Sequence, residues 1–233
     1  MAFHFRQFDV EDERSTLRIG TDAMLLGSWA HPAGSAKILD IGTGCGVLAL
    51  MMAQKSGAAI EAIDIDPESI SEAAGNFACS PWHDRLSAIL TPLQYFSAHE
   101  VGGYDFIITN PPFFANFLKS PSARKNTARH SEALTHDDLA RNVARLLATG
   151  GSFALILPSV VAPSFRLLCE KHGLHLRRWR NVGPKPSVVP VRTLMEFIRN
   201  ECVCIEEPLL TLRAPDGSFT PEYLELTCDF HNF

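Results

Sequence analysis

This sequence predicts an α/β fold with parallel strands, on three observations. The run Ala36-Lys37-Ile38-Leu39-Asp40-Ile41 passes into Gly42-Thr43-Gly44-Cys45-Gly46 and then Val47-Leu48-Ala49-Leu50-Met51-Met52-Ala53. That order of strand, glycine turn and helix is the first half of a nucleotide-binding βαβ unit. Further apolar runs of strand length alternate with helical segments along the chain, as in successive βα units. The strand Tyr104-Asp105-Phe106-Ile107-Ile108 is cut off by Thr109-Asn110-Pro111-Pro112-Phe113. Two prolines fix φ and remove two N–H donors, so Asn110 is held stiffly at a strand end.

Taken in order, residues 1–19 alternate weakly and suggest one or two short strands, with Phe3, Phe5 and Phe8 expected in the core. Gly20-Thr21-Asp22 reads as a helix start before the apolar Ala23 to Ala30, and His31-Pro32-Ala33-Gly34 as a linker. The glycine unit follows, then a second strand, Ala59 to Ile63, ending at Asp64, and a helix over 67–80 capped near Asp66-Pro67. Leu86 to Leu90 is the third strand, ending at Thr91-Pro92, and the strand before Asn110 is the fourth. Residues 114–134 are polar, basic and aperiodic, the character of a functional loop. A helix over Asp137 to Leu147 is expected to stop at Gly150-Gly151. Ser152 to Pro158 is the fifth strand, Phe165 to Lys171 a helix, and Leu174 to Val182 with Thr193 to Ile198 a hairpin. Residues 208–233 add a short strand, a turn at Ala214-Pro215-Asp216-Gly217 and a small helix near Tyr223. No repeat or convincing boundary divides the chain. It reads as one domain over 1–233, with an N-terminal extension (1–35) contributing to the site and a small C-terminal addition (208–233).

Composition narrows the function. With 46% hydrophobic and 20% charged residues the chain reads as an ordinary globular enzyme. No apolar run reaches membrane-spanning length, and acids at Asp9, Glu11, Asp12 and Glu13 break any signal-peptide core, so a cytoplasmic location is expected. A monomer is expected as well. The six cysteines form no C-x-x-C pair and are expected to be reduced core residues, and no metal is expected. His130, His136, His172 and His175 are expected at the surface or satisfied by neighbours. The net charge of −5 disfavours a generic polyanion binder, but no acid occurs between Phe106 and Ser131, where Lys119, Arg124, Lys125 and Arg129 lie. These four are the candidate phosphate contacts.

The glycine spacing selects the cofactor. Dinucleotide sites use G-x-G-x-x-G, which brings a helix N-terminus to a pyrophosphate. Here the spacing is G-x-G-x-G, with Asp40 two residues before Gly42. A carboxylate there would repel a pyrophosphate and suits a cationic or zwitterionic ligand. S-adenosylmethionine carries a sulfonium, an ammonium and a ribose but no phosphate, and Asp64 can accept its ribose hydroxyls. At the other motif, the Asn110 side-chain carbonyl and Pro111 main-chain carbonyl are two acceptors beside an aromatic face, Phe113. That set suits a planar group with an exocyclic amine.

With these residues in place, the chain resembles class I S-adenosylmethionine-dependent methyltransferases that act on amines, through Leu39-Asp40-Ile41-Gly42-Thr43-Gly44-Cys45-Gly46 and Asn110-Pro111-Pro112-Phe113. More narrowly, and over nearly its full length, it resembles the tRNA(Val) adenine-N(6) methyltransferase family. Phe5-Arg6-Gln7-Phe8, Ile19-Gly20-Thr21-Asp22, Leu25-Leu26-Gly27-Ser28-Trp29-Ala30, Ser80-Pro81-Trp82 and the Ala214 to Gly217 turn with Tyr223 carry that match. The resemblance implies methylation of the adenine 3′ of the anticodon. It implies a Rossmann-like, seven-stranded, mostly parallel sheet with an antiparallel last strand and helices on both faces. It also implies cofactor contacts at Thr21, Asp40, Gly42, Thr43, Gly44, Gly46, Asp64, Ile65, Thr91 and Asn110, and catalysis by Asn110, Pro111, Pro112 and Phe113. Two positions depart from the family pattern. Thr91-Pro92 stands where relatives often place a small residue and Asp, so Pro92 cannot read the cofactor's adenine amine. Phe113 stands where they commonly carry Tyr, and Asn-Pro-Pro-Phe also resembles ribosomal-RNA guanine-N(2) methyltransferases. A protein glutamine methyltransferase and a catalytically silent RNA-binding protein are the other readings; a nicotinamide oxidoreductase is disfavoured by the glycine spacing.

Overall fold

A computed structural model describes residues 2–16, 18–32, 34–99, 102–111 and 134–231. Pro112, Phe113, Lys119, Arg124, Lys125, Arg129 and His130 lie outside the described residues. The N-terminal segment forms a small antiparallel pair, β1 (Phe3–His4) with β2 (Asp9–Val10), and then helix α1 (Thr21–Trp29). Next come β3 (Lys37–Ile41), α2 (Val47–Lys55), β4 (Ala59–Asp64), α3 (Pro67–Ala78), β5 (Leu86–Leu90), α4 (Leu93–His99) and β6 (Tyr104–Thr109). The C-terminal half supplies α5 (His136–Leu146), β7 (Leu147–Pro158), α6 (Ala162–Lys171), β8 (His175–Gly183), β9 (Arg192–Ile198), β10 (Ile205–Thr211) and α7 (Pro221–Thr227).

One sheet runs in the order β10-β8-β9-β7-β6-β3-β4-β5. All its pairings are parallel except those of β9, which is antiparallel to both β7 and β8. The antiparallel strand is therefore the seventh in chain order within the sheet, as expected. The count is not: β10 pairs in parallel with β8 and makes an eighth strand. Arg178 explains the docking of β10. Its guanidinium stacks 3.7 Å from the Trp29 ring and donates to Glu196 of β9 and Glu207 of β10, while the Trp29 indole donates to Glu207 at 2.8 Å.

Strand alternation sorts the core into two layers. Ile38, Phe106, Ile108, Ala154 and Ile156 face one layer with α1, α2 and α7; Leu39, Ile41, Ile107, Phe153 and Leu155 face the other with α5 and α6. Strands buried on both faces read as near-continuous apolar runs, and β3 and β6 do so apart from Asp40 and Asp105. Phe5 and Phe8 are buried and stack at 4.4 Å, as expected of core aromatics.

Two expectations are corrected and one helix is added. Gly150-Gly151 do not stop α5, which ends at Leu146 and passes directly into β7. A Cβ on Gly151 would meet the Tyr104 and Asp105 carbonyls at 2.9 Å, and the β6–β7 register shifts between Tyr104 and Phe106. The glycines thus serve a bulge with close backbone approach. The segment after Pro92 forms the helix α4, for which no element was expected. Of the six cysteines only Cys45 and Cys169 are buried, because Cys79, Cys202, Cys204 and Cys228 fall at helix ends and loops. Among the described residues no helix is long and apolar enough to cross a membrane.

Candidate active site

The carboxyl ends of β3, β4 and β6 open on a cavity of about 770 Å³, where ligands bind in open α/β sheets. Its floor is the turn after β3. Gly42 and Gly44 have φ of +70° and +55°, a region open to glycine at little cost. Among the described residues, the adjacent ones aside, a Cβ on either would meet no atom within 4 Å, and both glycines line the cavity. The turn is fixed to β4 by Gly42 and Thr43 N–H groups donating to the Ile63 carbonyl at 2.9 and 3.1 Å. Asp64 completes the tie: its carboxylate accepts from Gly44 N–H at 2.9 Å and from Asp66 N–H at 3.0 Å. Each Asp64 oxygen keeps a further lone pair for a ligand.

The Asn110 turn is brought alongside by Thr109, whose hydroxyl donates to the Ile41 carbonyl at 2.7 Å and locks the end of β6 to the end of β3. Asn110 is half-buried, Pro111 is buried, and both line the cavity. Thr91, whose N–H donates to the Asp64 carbonyl at 2.9 Å, lines it too, as does Ile65, which is 67% exposed.

Three of the expected cofactor residues stand apart from the lining. Thr21 is exposed in the first turn of α1, while its neighbours Ile19 and Ala23 face the cavity. Gly46 caps α2 at φ 86°, and a Cβ there would sit 2.5 Å from the Phe77 ring, so it is glycine for packing. Asp40 is fully buried beneath the turn. One oxygen accepts from the Thr43 hydroxyl at 2.6 Å; the other closes no hydrogen bond of ordinary geometry with the described residues. Burial drives its pKa up to about 7, against the opposing pull of the Thr43 hydroxyl and the Ala49 amide. Cys45 lines the cavity, but burial pushes its thiol up to about 12, which removes it as a nucleophile.

The N-terminal segment forms one wall, through Thr16, Arg18 and Ile19. Sequence reasoning assigned this region to the site but missed these residues. It is strapped to α3. Glu72, 2% exposed, accepts the Arg14 and Ser15 N–H groups at 2.9 and 2.8 Å. Asn76 accepts from Glu11 N–H and donates to the Glu11 and Cys45 carbonyls, and Asp12 accepts from Ile19 N–H at 2.9 Å. Arg18 is the one cation among the described lining residues, against the carboxylates of Asp64 and Asp66. That balance fits a zwitterionic nucleoside better than a pyrophosphate.

Residues 15–162 match the methyltransferase small domain family. A tRNA1(Val) (adenine(37)-N6)-methyltransferase from Phocaeicola vulgatus is 39% identical over 229 residues, covering 98% of this chain and 97% of the relative. The chain belongs to this methyltransferase family. A member from Serratia proteamaculans, with the same name, is 33% identical over 234 residues, covering all of this chain and 90% of the relative. Among solved structures, a predicted O-methyltransferase from Agrobacterium tumefaciens superimposes with a TM-score of 0.66 at 20% identity, over 90% of this chain and 96% of that one. A ribosomal protein L11 methylase from Lactobacillus delbrueckii subsp. bulgaricus gives 0.56 at 17% identity, over 77% and 78%. These likenesses establish the Rossmann-like methyltransferase fold, and in this chain the glycine turn, Asn110 and Pro111 line one cavity.

Proposed function

We propose that the protein transfers a methyl group from S-adenosylmethionine to the exocyclic N(6) amine of the adenine 3′ of the anticodon in tRNA(Val). The observation that carries this reading is the convergence of Gly42, Gly44, Asp64, Asn110 and Pro111 on one cavity in a chain of this family. The cavity's chemistry fits the cofactor: an open glycine turn, a carboxylate with lone pairs to spare, and a mixed charge lining. Asp64 would hold the ribose hydroxyls, the exposed Ile65 side chain would cover one face of the cofactor's adenine, and backbone groups at Thr91 would read its edge. Asp40 would act from beneath the turn, orienting Thr43 rather than touching the ligand. When bound, the cofactor supplies an electrophilic methyl group on a sulfonium.

An aromatic amine is a weak nucleophile because its lone pair is delocalised into the ring. The Asn110 side-chain carbonyl and the Pro111 main-chain carbonyl would accept its two N–H bonds, which leaves the lone pair directed at the methyl group. Positioning and electrostatics then supply most of the rate. No base is needed before transfer, since the proton leaves afterwards from a cationic amine to water. Pro112 would keep the motif stiff, and Phe113 would stack on the base once it has left the RNA stack. Lys119, Arg124, Lys125 and Arg129 would contact phosphates. A tRNA substrate supports a cytoplasmic location.

The test is single-turnover transfer of a labelled methyl group to an unmodified tRNA(Val) transcript. Asn110→Ala should slow it by about 10²–10³, the effect of removing one preorganised polar group, with cofactor and tRNA affinity little changed. An Asn110→Ala enzyme at the wild-type rate would reduce Asn-Pro-Pro-Phe to a strand end.

A further inference from the structure

The carboxyl edge of the sheet carries a second group of side chains that the cavity does not use. Because β7 and β8 both pair antiparallel with β9, β8 runs in the direction of β6 and β7. The β8–β9 connection, residues 184–191, therefore emerges at the same edge as Asn110. In sheet order it lies on the flank away from the cofactor cavity, which occupies the ends of β3, β4 and β6.

This connection is stiff. Pro184, Pro186 and Pro190 fix φ at three of its positions. Val188 N–H donates to the Lys185 carbonyl and Val191 N–H to the Val182 carbonyl. Its carbonyls bind the neighbouring elements, Val191 accepting from Ser159 N–H at the end of β7 and Pro184 from Arg213 N–H beyond β10. At its end Arg192 pairs with Asp22 of α1 at 2.8 Å.

A segment held so firmly nevertheless leaves apolar side chains in solvent. Val189 is 79% exposed, Val188 and Val191 are each 45% exposed, and Val160 in the turn after β7 is 90% exposed. The connection itself carries only basic charge, with Asp216 the nearest acid in the Arg213 turn. No acid lies between Glu170 and Glu196. Lys185 and Arg213 are exposed and pair with no carboxylate among the described residues, whereas Arg192 neutralises Asp22. Arg213 is also pre-positioned, its guanidinium 4.2 Å from the Phe219 ring centre and donating to the Gly217 carbonyl. A stiff apolar ridge flanked by unpaired cations suits a polyanion that also presents sugar and base surfaces.

We propose that the β8–β9 connection and the adjoining β7–α6 turn form a docking surface for the substrate RNA. Lys185 and Arg213 contact phosphates, and the valines pack on riboses and base edges next to the target nucleotide. This inference rests on the proposed function for the class of partner and adds where the RNA lies: across the β7–β9–β8 flank, with the target base reaching the Asn110 turn.

The experiment uses the full chain and an unmodified tRNA(Val) transcript, with binding followed by fluorescence anisotropy across a salt series. S-adenosylhomocysteine binding is measured on the same samples by calorimetry. The double variant Lys185→Gln/Arg213→Gln should bind the transcript about tenfold more weakly and lower the salt slope by about 0.7–0.9 for each phosphate that is no longer neutralised. Val188→Ser/Val189→Ser should weaken binding with the slope unchanged. Both should bind S-adenosylhomocysteine as the wild type does, which shows that the fold is intact. Wild-type tRNA affinity and slope in both variants would overturn the proposal. So would a wild-type dimer in sedimentation that the valine variant dissociates, since the ridge would then serve a second copy of the chain. A wild-type protein that binds the transcript through these residues but never methylates it would defeat the proposed function and leave the docking surface standing.

Discussion

Glu72 is the residue whose loss should most clearly uncouple the cofactor wall from the rest of the fold. Its buried carboxylate is the acceptor for two consecutive backbone N–H groups, Arg14 and Ser15, and the chain they anchor carries Thr16, Arg18 and Ile19 into the cavity. Hydrogen bonds to a charged acceptor contribute about 1.5–3 kcal/mol each, so Glu72→Ala removes about 3–6 kcal/mol of strap anchoring. The global loss is capped lower, because a detached strap can satisfy its amides with water. Glu72→Gln should fall between, since its amide keeps one acceptor and turns a donor against the other N–H. Calorimetric affinity for S-adenosylhomocysteine should drop by at least about tenfold in Glu72→Ala, and trypsin should cut at Arg14 or Arg18 before the sheet unfolds. Unchanged affinity with an unchanged cleavage pattern would refute the strap as a wall of the site.

Two further outcomes follow from the carboxylates of the glycine turn. Asp64→Ala should cost cofactor affinity about 1.5–3 kcal/mol. It should also lower the melting temperature, because Gly44 and Asp66 lose their acceptor; titration at wild-type affinity would remove Asp64 from the site. Asp40, with its pKa raised from 3.8 to about 7 by burial, is protonated more readily folded than unfolded. Its contribution to stability is therefore full below about pH 4 and is lost as pH rises through about 7. Asp40→Asn does not titrate, so urea denaturation should show the variant gaining on the wild type between pH 4 and 8, by up to about 4 kcal/mol. A stability difference independent of pH would mean that Asp40 does not titrate in this window.

The parts of this molecule that are legible in the sequence are those whose signal is local. The β3 turn, Asp64 at the end of β4 and Asn110 at the end of β6 are each announced by an apolar run meeting glycine, acid or proline, and parallel strands bring those ends together. What escapes depends on residues distant in sequence. Glu72 and Asn76 hold residues some 57–65 positions away, and nothing in the helix α3 marks them as anchors. Gly150-Gly151 carry the composition of a helix stop, and only the carbonyls of Tyr104 and Asp105 reveal a bulge. Asp40 is expected to face the ligand because it adjoins the turn. Strand alternation instead sends it toward the α2 side with Ile38 and beneath Thr43. The strand β10 joins the sheet through Arg178 and Glu207, a pairing no periodicity encodes.

The central claim is the identity of the methylated atom. The purified protein should be incubated with S-adenosylmethionine and an unmodified tRNA(Val) transcript, and the RNA digested to nucleosides for mass spectrometry. The account predicts N(6)-methyladenosine, lost when the adenine 3′ of the anticodon is replaced by guanine. N(2)-methylguanosine from the unaltered transcript, or no methylated nucleoside, would contradict it.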